Sequence, residues 1–559
     1  MSAPQVLRGV GVSPGRRAAV VARMPDPVPA PSDRPLPFDA DREAAAATID
    51  AASARVQADL ERASAATSGT VSDILGVTAA MAADPTLVQG ARRLVVDDGE
   101  SPARAVWDTA GEIAERLRSL GGDLAERARD VADVRDRIVA VLTDAPVPGI
   151  PVREEPSVLV AHDLAPADAA LLDPEVVVAL VTSGGGPTSH TAILARSLGI
   201  PCVVATRGAD DLADGELVAV DGATGEVVRD PDEAAVARAN RVVDRPTTLR
   251  SPGATSDGHP VELLANVGDP SGASAAARAG AQGVGLFRTE FCFLGRTSAP
   301  GIDEQVSAYR TVLAAFAGRK VVVRTLDAGA DKPLPFVTAP HEPNPALGVR
   351  GLRTAAVHPQ VLEDQLAAIA QAAAAESAEV WVMAPMVATP DEAEAFVARC
   401  AEHGLATAGV MVEVPAAALR ARHVLAHAAF ASIGTNDLTQ YALAADRELA
   451  GVAELSTPWQ PAVLDLVDAT CRGGGANARP VGVCGEAAAD PALATVLVGL
   501  GVSSLSMTPR ALVDVGAVLA ATSLDECRAL AALALAQPTA TAARDAVRAR
   551  LPVLEELGL

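Results

Sequence analysis

Aromatic side chains make up only 2% of the 559 residues: eight Phe, two Tyr and three Trp. That leaves little to stack on nucleic-acid bases. Positive charge is also short. The 46 Lys and Arg face 70 Asp and Glu, a formal net charge of -24, which argues against nucleic acid and anionic membranes as partners. No stretch of about twenty apolar residues lacks charge or proline, so no membrane insertion is expected. Residues 1–17 show no signal-peptide core. The six cysteines have no Cys-x-x-Cys spacing, which fits a reducing compartment better than a disulfide frame. No Walker-type glycine loop is present. The expectation is a cytoplasmic protein in which an anionic substrate would need a local cluster of Arg and Lys.

What is present is a globular composition, 49% hydrophobic and 21% charged, in a chain too long for one core. Residues 5 to 22 read as strand, turn, strand, with the turn at Ser13-Pro14-Gly15. A proline-rich passage follows, and from about Asp39 to Leu142 the period becomes helical. Ile49, Val56 and Leu60 share one face, as do Val106, Ala110, Ile113 and Leu117, and again Val131, Val134, Ile138 and Val141. Residues 145 to 230 return to short β runs at 158–161, 176–181 and 202–205. The charged stretch Asp230 to Arg250 reads as a helical connector. Beyond it strand and helix alternate about eight times. The strands are expected at 261–266, 283–290, 320–327, 380–386, 409–414, 430–437, 480–486 and 503–507, the count and length of a (β/α)8 barrel. The fold class is thus multidomain α/β. Residues 1–34 and 143–230 form one α/β domain and 35–142 an inserted helical bundle. Residues 231–250 form a linker helix and 251–559 the barrel.

Two places carry chemistry. The first is Gly184-Gly185-Gly186-Pro187-Thr188-Ser189-His190-Thr191-Ala192-Ile193-Leu194-Ala195-Arg196. Glycines after a buried strand let the backbone approach a ligand. His190 then falls at a helix N-terminus, where unpaired N–H groups and the dipole favour an anion. Imidazole there could serve as a nucleophile, or simply cap the helix. The second place is the set of strand ends, where a barrel carries its catalysis. Arg288, Arg324, Lys332 and Arg447 are the missing basic cluster. Glu413 and Asp437 sit at two further ends, as ion-pair partners for those arginines or as ligands of a hard cation. Two carboxylates completed by substrate oxygens and water suit Mg2+ better than zinc. Cys484 ends the seventh strand, as a reacting thiol or as a small buried apolar residue.

The glycine-loop string resembles the phosphohistidine signature of the phosphoenolpyruvate-utilising family. Gly285-Leu286-Phe287-Arg288-Thr289-Glu290, Asn344-Pro345-Ala346-Leu347-Gly348 with Arg350, and Ser432 through Tyr441 resemble its barrel. The helical insertion, with no room for a nucleotide-binding domain ahead of it, is similar to the Enzyme I branch of the sugar phosphotransferase system. That resemblance implies a swivelling phosphohistidine domain, a bundle that docks the carrier protein HPr, and a barrel that binds phosphoenolpyruvate and makes a homodimer. It implies His190 as the phosphorylated nucleophile and Cys484 as proton donor. Arg288, Arg324, Arg350, Arg447 and Lys332 would hold the substrate, beside Asn436 and Asp437. Glu413 and Asp437 would hold Mg2+. Two other classes, a lone-barrel lyase and a non-catalytic scaffold, would have no use for this full set.

Overall fold

Apolar runs of three to eight residues are driven out of water, and here they build two separate sheets. The computed structural model describes the chain apart from residues 1–4, 26–27, 66–69, 121–122, 146–148, 152, 154, 165–167, 169–171, 187–188, 242–245, 329–333, 339–341, 343 and 447–448. The side chains of 70–74, 118–120, 123–126, 129, 190, 193, 197 and 450 also lie outside it. The rest forms two units, Met1–Asn240 and Arg241–Leu559.

In the first unit the strands are β1 (Val6–Arg8), β2 (Val10–Ser13), β3 (Arg16–Arg23), β4 (Ser157–Ala161), β5 (Val177–Thr182), β6 (Cys202–Val204), β7 (Leu217–Asp221) and β8 (Glu226–Arg229). They make one sheet in the order β1-β8-β7-β3-β4-β5-β6-β2. The ladder from β3 to β6 is parallel and the outer pairings are antiparallel. The single strand expected over residues 5–12 is split at Gly9. A Cβ there would lie 2.5 Å from Thr206 Oγ1 and 2.6 Å from the Val204 carbonyl. The two halves therefore diverge, β1 to pair with β8 and β2 with β6.

Between β3 and β4 lie helices Arg42–Ala65, Thr70–Ala82, Pro85–Arg93, Pro102–Leu120 and Asp123–Thr143. Ile49, Val56, Leu60, Val106, Ala110, Val131, Val134 and Ile138 are buried in their shared core, so the helical period marked the inward faces. Arg137 ties the last helix to the segment after β4. Its guanidinium bonds Asp133 at 2.9 Å and Asp168 at 2.6 Å, all three side chains nearly out of water. Burial and the neighbouring Asp133 charge push Asp168 up to about 6, against the pull of Arg137.

The expected helix over residues 230–250 is confined to Glu233–Ala239. Asp232 caps its start by accepting from Ala235 N–H at 2.7 Å. Its end is pinned at Asn240, whose side chain accepts from Ala18 N–H and donates to Ala18 O. Pro246 bars continuation.

The second unit is a closed parallel barrel of β9 (Glu262–Val267), β10 (Val284–Phe287), β11 (Lys320–Arg324), β12 (Glu379–Ala384), β13 (Ala408–Val412), β14 (Ala431–Gly434), β15 (Val481–Cys484) and β16 (Ser504–Met507). The eight expected strands are all there, six of them shorter than expected at their C-terminal ends. One such overrun is after Gly434, where Thr435–Leu443 is already helix. No helix among the described residues is long and apolar enough to cross a membrane.

Candidate active site

The glycine loop of the first unit leaves β5 and enters the helix His190–Leu198. Ser189 caps that helix by accepting from Ala192 N–H at 3.3 Å, which leaves His190 as the first helical residue. Pro187, Thr188 and the His190 side chain lie outside the described residues. The loop is held from the neighbouring strand end. Gly184 N–H donates to the His162 carbonyl at 2.7 Å. Asp163 accepts from the Thr191 hydroxyl and from Leu164 N–H, both at 2.9 Å. The His162 ring meets Ser183 Oγ at 2.9 Å, and Ser183 donates to Asp210 at 2.8 Å. These supports belong to β4 and later turns, and only the loop itself was visible as a motif.

At the C-terminal end of the barrel, Arg324 closes β11 and is buried. Its guanidinium donates to Glu290 at 2.9 Å, pairs with Asp327 at 3.0 Å and stands 3.8 Å from Glu413. Burial opposes its charge, yet those three carboxylates outweigh it and hold the arginine well above its usual pKa. Arg350 is buried too. It bonds Asp437 at 3.2 Å and the Tyr441 hydroxyl at 3.1 Å, with Asp327 at 3.6 Å. Asp327 thus stands between the two arginines.

Glu413 follows β13 and accepts from Met386 N–H at 2.9 Å. Met386 itself has φ 59, a strained conformation for an unbranched side chain that typically costs about 1–3 kcal/mol. Burial, Asp437 and Asp327 push Glu413 up to about 8, Arg324 opposing them. Gly434 makes room for this carboxylate, because a Cβ there would lie 2.7 Å from Glu413 Oε1. Asp437 is buried on the first turn of Thr435–Leu443, and Asn436 beside it is half-buried. Cys484 closes β15, its thiol donating to the Ile433 carbonyl at 3.4 Å. Burial pushes it up to about 11, so near neutral pH it is a thiol able to give a proton.

The structure therefore brings Arg324, Arg350, Glu413, Asp437 and Cys484 to one end of the barrel. Arg288 is exposed at the end of β10. Lys332 and Arg447 lie outside the described residues. Glu290 and Asp327 are the members that sequence reading passed over, although each stands beside a predicted arginine in its motif. A search for groups to hold an anion favoured the bases and ignored the acids that neutralise them.

A family model described as the PEP-utilising enzyme, PEP-binding domain, matches residues 245–524. The mobile domain of the same enzymes matches 153–225 and their N-terminal domain 8–127. A phosphoenolpyruvate-protein phosphotransferase of Streptomyces coelicolor is 51% identical over 98% of this chain and 99% of its own. The chain belongs to the phosphoenolpyruvate-utilising enzymes. Two further relatives in this family bear the same name. One, from Haloferax volcanii, is 42% identical over 80% of this chain and 81% of its own. The other, from Bacillus subtilis, is 34% identical over 90% and 92%. The family's PEP-binding domain falls on the barrel, and its mobile domain includes the glycine loop.

Enzymes of the family work with a divalent metal, and Glu413 and Asp437 suit one. They are buried carboxylates whose charges oppose one another, and a hard cation relieves that opposition through oxygen donors. Among the described residues no group of three or more His, Cys, Asp and Glu is arranged to hold a metal ion.

Proposed function

We propose that this chain is a phosphoenolpyruvate-protein phosphotransferase that moves the phosphoryl group of phosphoenolpyruvate to its own His190 and then to a histidine of the carrier HPr, releasing pyruvate. The observation that supports it most is the whole-length likeness to relatives of that name. Beside it stand a glycine loop ending in a histidine at a helix start and a barrel end lined by buried arginines.

Each residue has a task in this reading. Arg288, Arg324, Arg350, Lys332 and Arg447 bind the phosphate and carboxylate of the substrate. Asn436 and Asp437 stand beside it. Glu413 and Asp437 hold Mg2+, which supplies charge neutralisation on the phosphoryl oxygens. Phosphoryl transfer is mainly positioning and electrostatic stabilisation, and the buried arginines are positioned before substrate arrives. Neutral His190 attacks phosphorus in line, and the helix start receives the added negative charge. The enolate that leaves takes a proton at carbon from the Cys484 thiol. His190 must visit the barrel and the carrier in turn, so the domain comprising 1–34 and 143–230 swivels about the connector 231–250. The bundle 35–142 docks the carrier, and the barrel 251–559 forms a homodimer in the cytoplasm.

The test is incubation with phosphoenolpyruvate and Mg2+ followed by intact-mass analysis. One acid-labile phosphoryl group should appear per chain and should be absent from His190→Ala. Labelling that persists in the variant refutes the assignment.

A further inference from the structure

An amide set into the apolar face of a helix costs free energy unless its polar atoms find partners. The helix Pro359–Ala375 packs Leu362, Leu366, Ile369 and Ala372 into the core of the second unit. Gln365 lies in the same stripe and is wholly out of water. Its side chain reaches three partners. Oε1 accepts from Leu326 N–H at 2.8 Å. Nε2 donates to the Thr289 hydroxyl at 3.1 Å and to the Tyr309 hydroxyl at 3.0 Å.

The amide can face only one way. Leu326 N–H is a donor alone, so the oxygen must point to it. The Thr289 hydroxyl gives its one proton to the Arg324 carbonyl at 2.9 Å, and the Tyr309 hydroxyl gives its own to Gln305 Oε1 at 2.9 Å. Both hydroxyls must therefore accept from Gln365. Gln305 in turn donates to the Pro300 carbonyl at 3.1 Å. Thr289, Gln305 and Tyr309 are buried like Gln365, and a buried chain of bonds in which every member is matched fixes one arrangement.

What the chain of bonds holds is the catalytic end of two strands. Past Arg324 the backbone leaves β11, and side chains take its next free N–H groups. That of Leu326 goes to Gln365, and that of Asp327 goes to Glu290 Oε1 at 3.2 Å. Thr289 stands between Arg288 and Glu290, just past the neighbouring β10. One amide on an outer helix thus ties the end of β10 to the end of β11, through Thr289 at the Arg324 carbonyl and directly at Leu326. The same two ends carry Glu290 and Asp327, the carboxylates that bond the Arg324 guanidinium.

We propose that Gln365 is a positioning residue, which sets where the Arg324 guanidinium stands for the substrate by tying the two strand ends from outside the barrel. The inference rests on Arg324 holding phosphoenolpyruvate. An apolar side chain of the same size would fill the space but leave Leu326 N–H and both hydroxyls without their partner, and the strand ends would settle elsewhere. An arginine that grips substrate and transition state alike contributes uniform binding, so its displacement should raise KM and leave kcat nearly alone.

The test is rapid-quench measurement of His190 phosphorylation in the full chain, over a range of phosphoenolpyruvate concentrations with Mg2+. It reads half-saturation and maximal rate separately. Gln365→Met keeps the volume and removes the amide. Thr289→Val keeps the shape and cuts the tie to the Arg324 carbonyl. Both should raise half-saturation about 10–100-fold, the usual effect of losing one hydrogen bond to a charged group, with the maximal rate within about threefold of wild type. Ile369→Ala is the control. Ile369 is buried one turn further along the same helix, so its truncation should lower stability in urea and leave half-saturation as in wild type. Should Gln365→Met fail to fold, Thr289→Val decides. Wild-type half-saturation in Thr289→Val overturns the proposal, as does an equal rise in Ile369→Ala or a loss confined to the maximal rate. A wild type that gains no phosphoryl group at all would mean instead that the proposed function has failed.

Discussion

Glu413 gives a prediction whose size follows from its surroundings. Its carboxyl is pushed up from 4.5 to about 8 by burial and by the charges of Asp437 and Asp327. At about 1.4 kcal/mol per pKa unit, that represents on the order of 5 kcal/mol favouring the protonated form. A divalent cation needs the carboxylate, so proton and cation compete for the same oxygens. The sign is then fixed: affinity rises with pH until Glu413 ionises without help, and levels off above about pH 8. At about pH 7 only about one site in ten is ionised, so apparent affinity should stand about tenfold below its limit and fall about tenfold more at pH 6. Titration calorimetry with Mg2+ or Mn2+ in buffers of different ionisation enthalpy reads both the affinity and the proton released. Nearly one proton should leave per cation bound at pH 7. Glu413→Gln should bind more weakly and show a flat profile. A wild-type affinity independent of pH between about 6 and 8, with no proton release, would refute the reasoning.

Two other substitutions have definite outcomes. Cys484→Ala should still bind phosphoenolpyruvate but form pyruvate about 10²–10⁴-fold more slowly, the usual loss of a positioned general acid; a pyruvate assay giving less than that range assigns the proton to another group. Arg137→Ala leaves Asp133 and Asp168 buried without their cation, and urea unfolding should show a loss of about 3–5 kcal/mol, smaller in acid as Asp168, already pushed up to about 6, takes its proton; a loss within experimental error would show that water reaches the pair.

The barrel was legible because most of its strands are short, mainly apolar runs, as expected where both faces are covered. Its ends were less so. Phe430 to Asp437 reads as one strand, yet Thr435-Asn436-Asp437 turns the chain into a helix whose first turn brings Asp437 to Arg350. The connector misled in the opposite direction: a charged stretch suggested a helix through Arg250, but the tie from Asn240 to Ala18, 222 positions away, marks where the helix ends. Site residues followed the same division. Arg324 and Cys484 could be named because strand ends can be counted. Glu290 and Asp327 could not, because their roles depend on Arg324 and Arg350, brought beside them only by barrel closure.

The pairing of the two buried arginines has a kinetic consequence. Glu290, Asp327, Glu413 and Asp437 surround Arg324 and Arg350, so among these six described groups the acids outnumber the bases by two when all are ionised. A substrate bearing phosphate and carboxylate meets these acids beside the arginines that would hold it. A divalent ion held by Glu413 and Asp437 would offset part of their negative charge. Entry should therefore be ordered, cation before phosphoenolpyruvate, with substrate alone binding weakly at any concentration. Initial-rate patterns would show this as intersecting lines that share one intercept, and random-order patterns would count against it. The acids that crowd the arginines thereby set a sequence of events, admitting the substrate only after its metal.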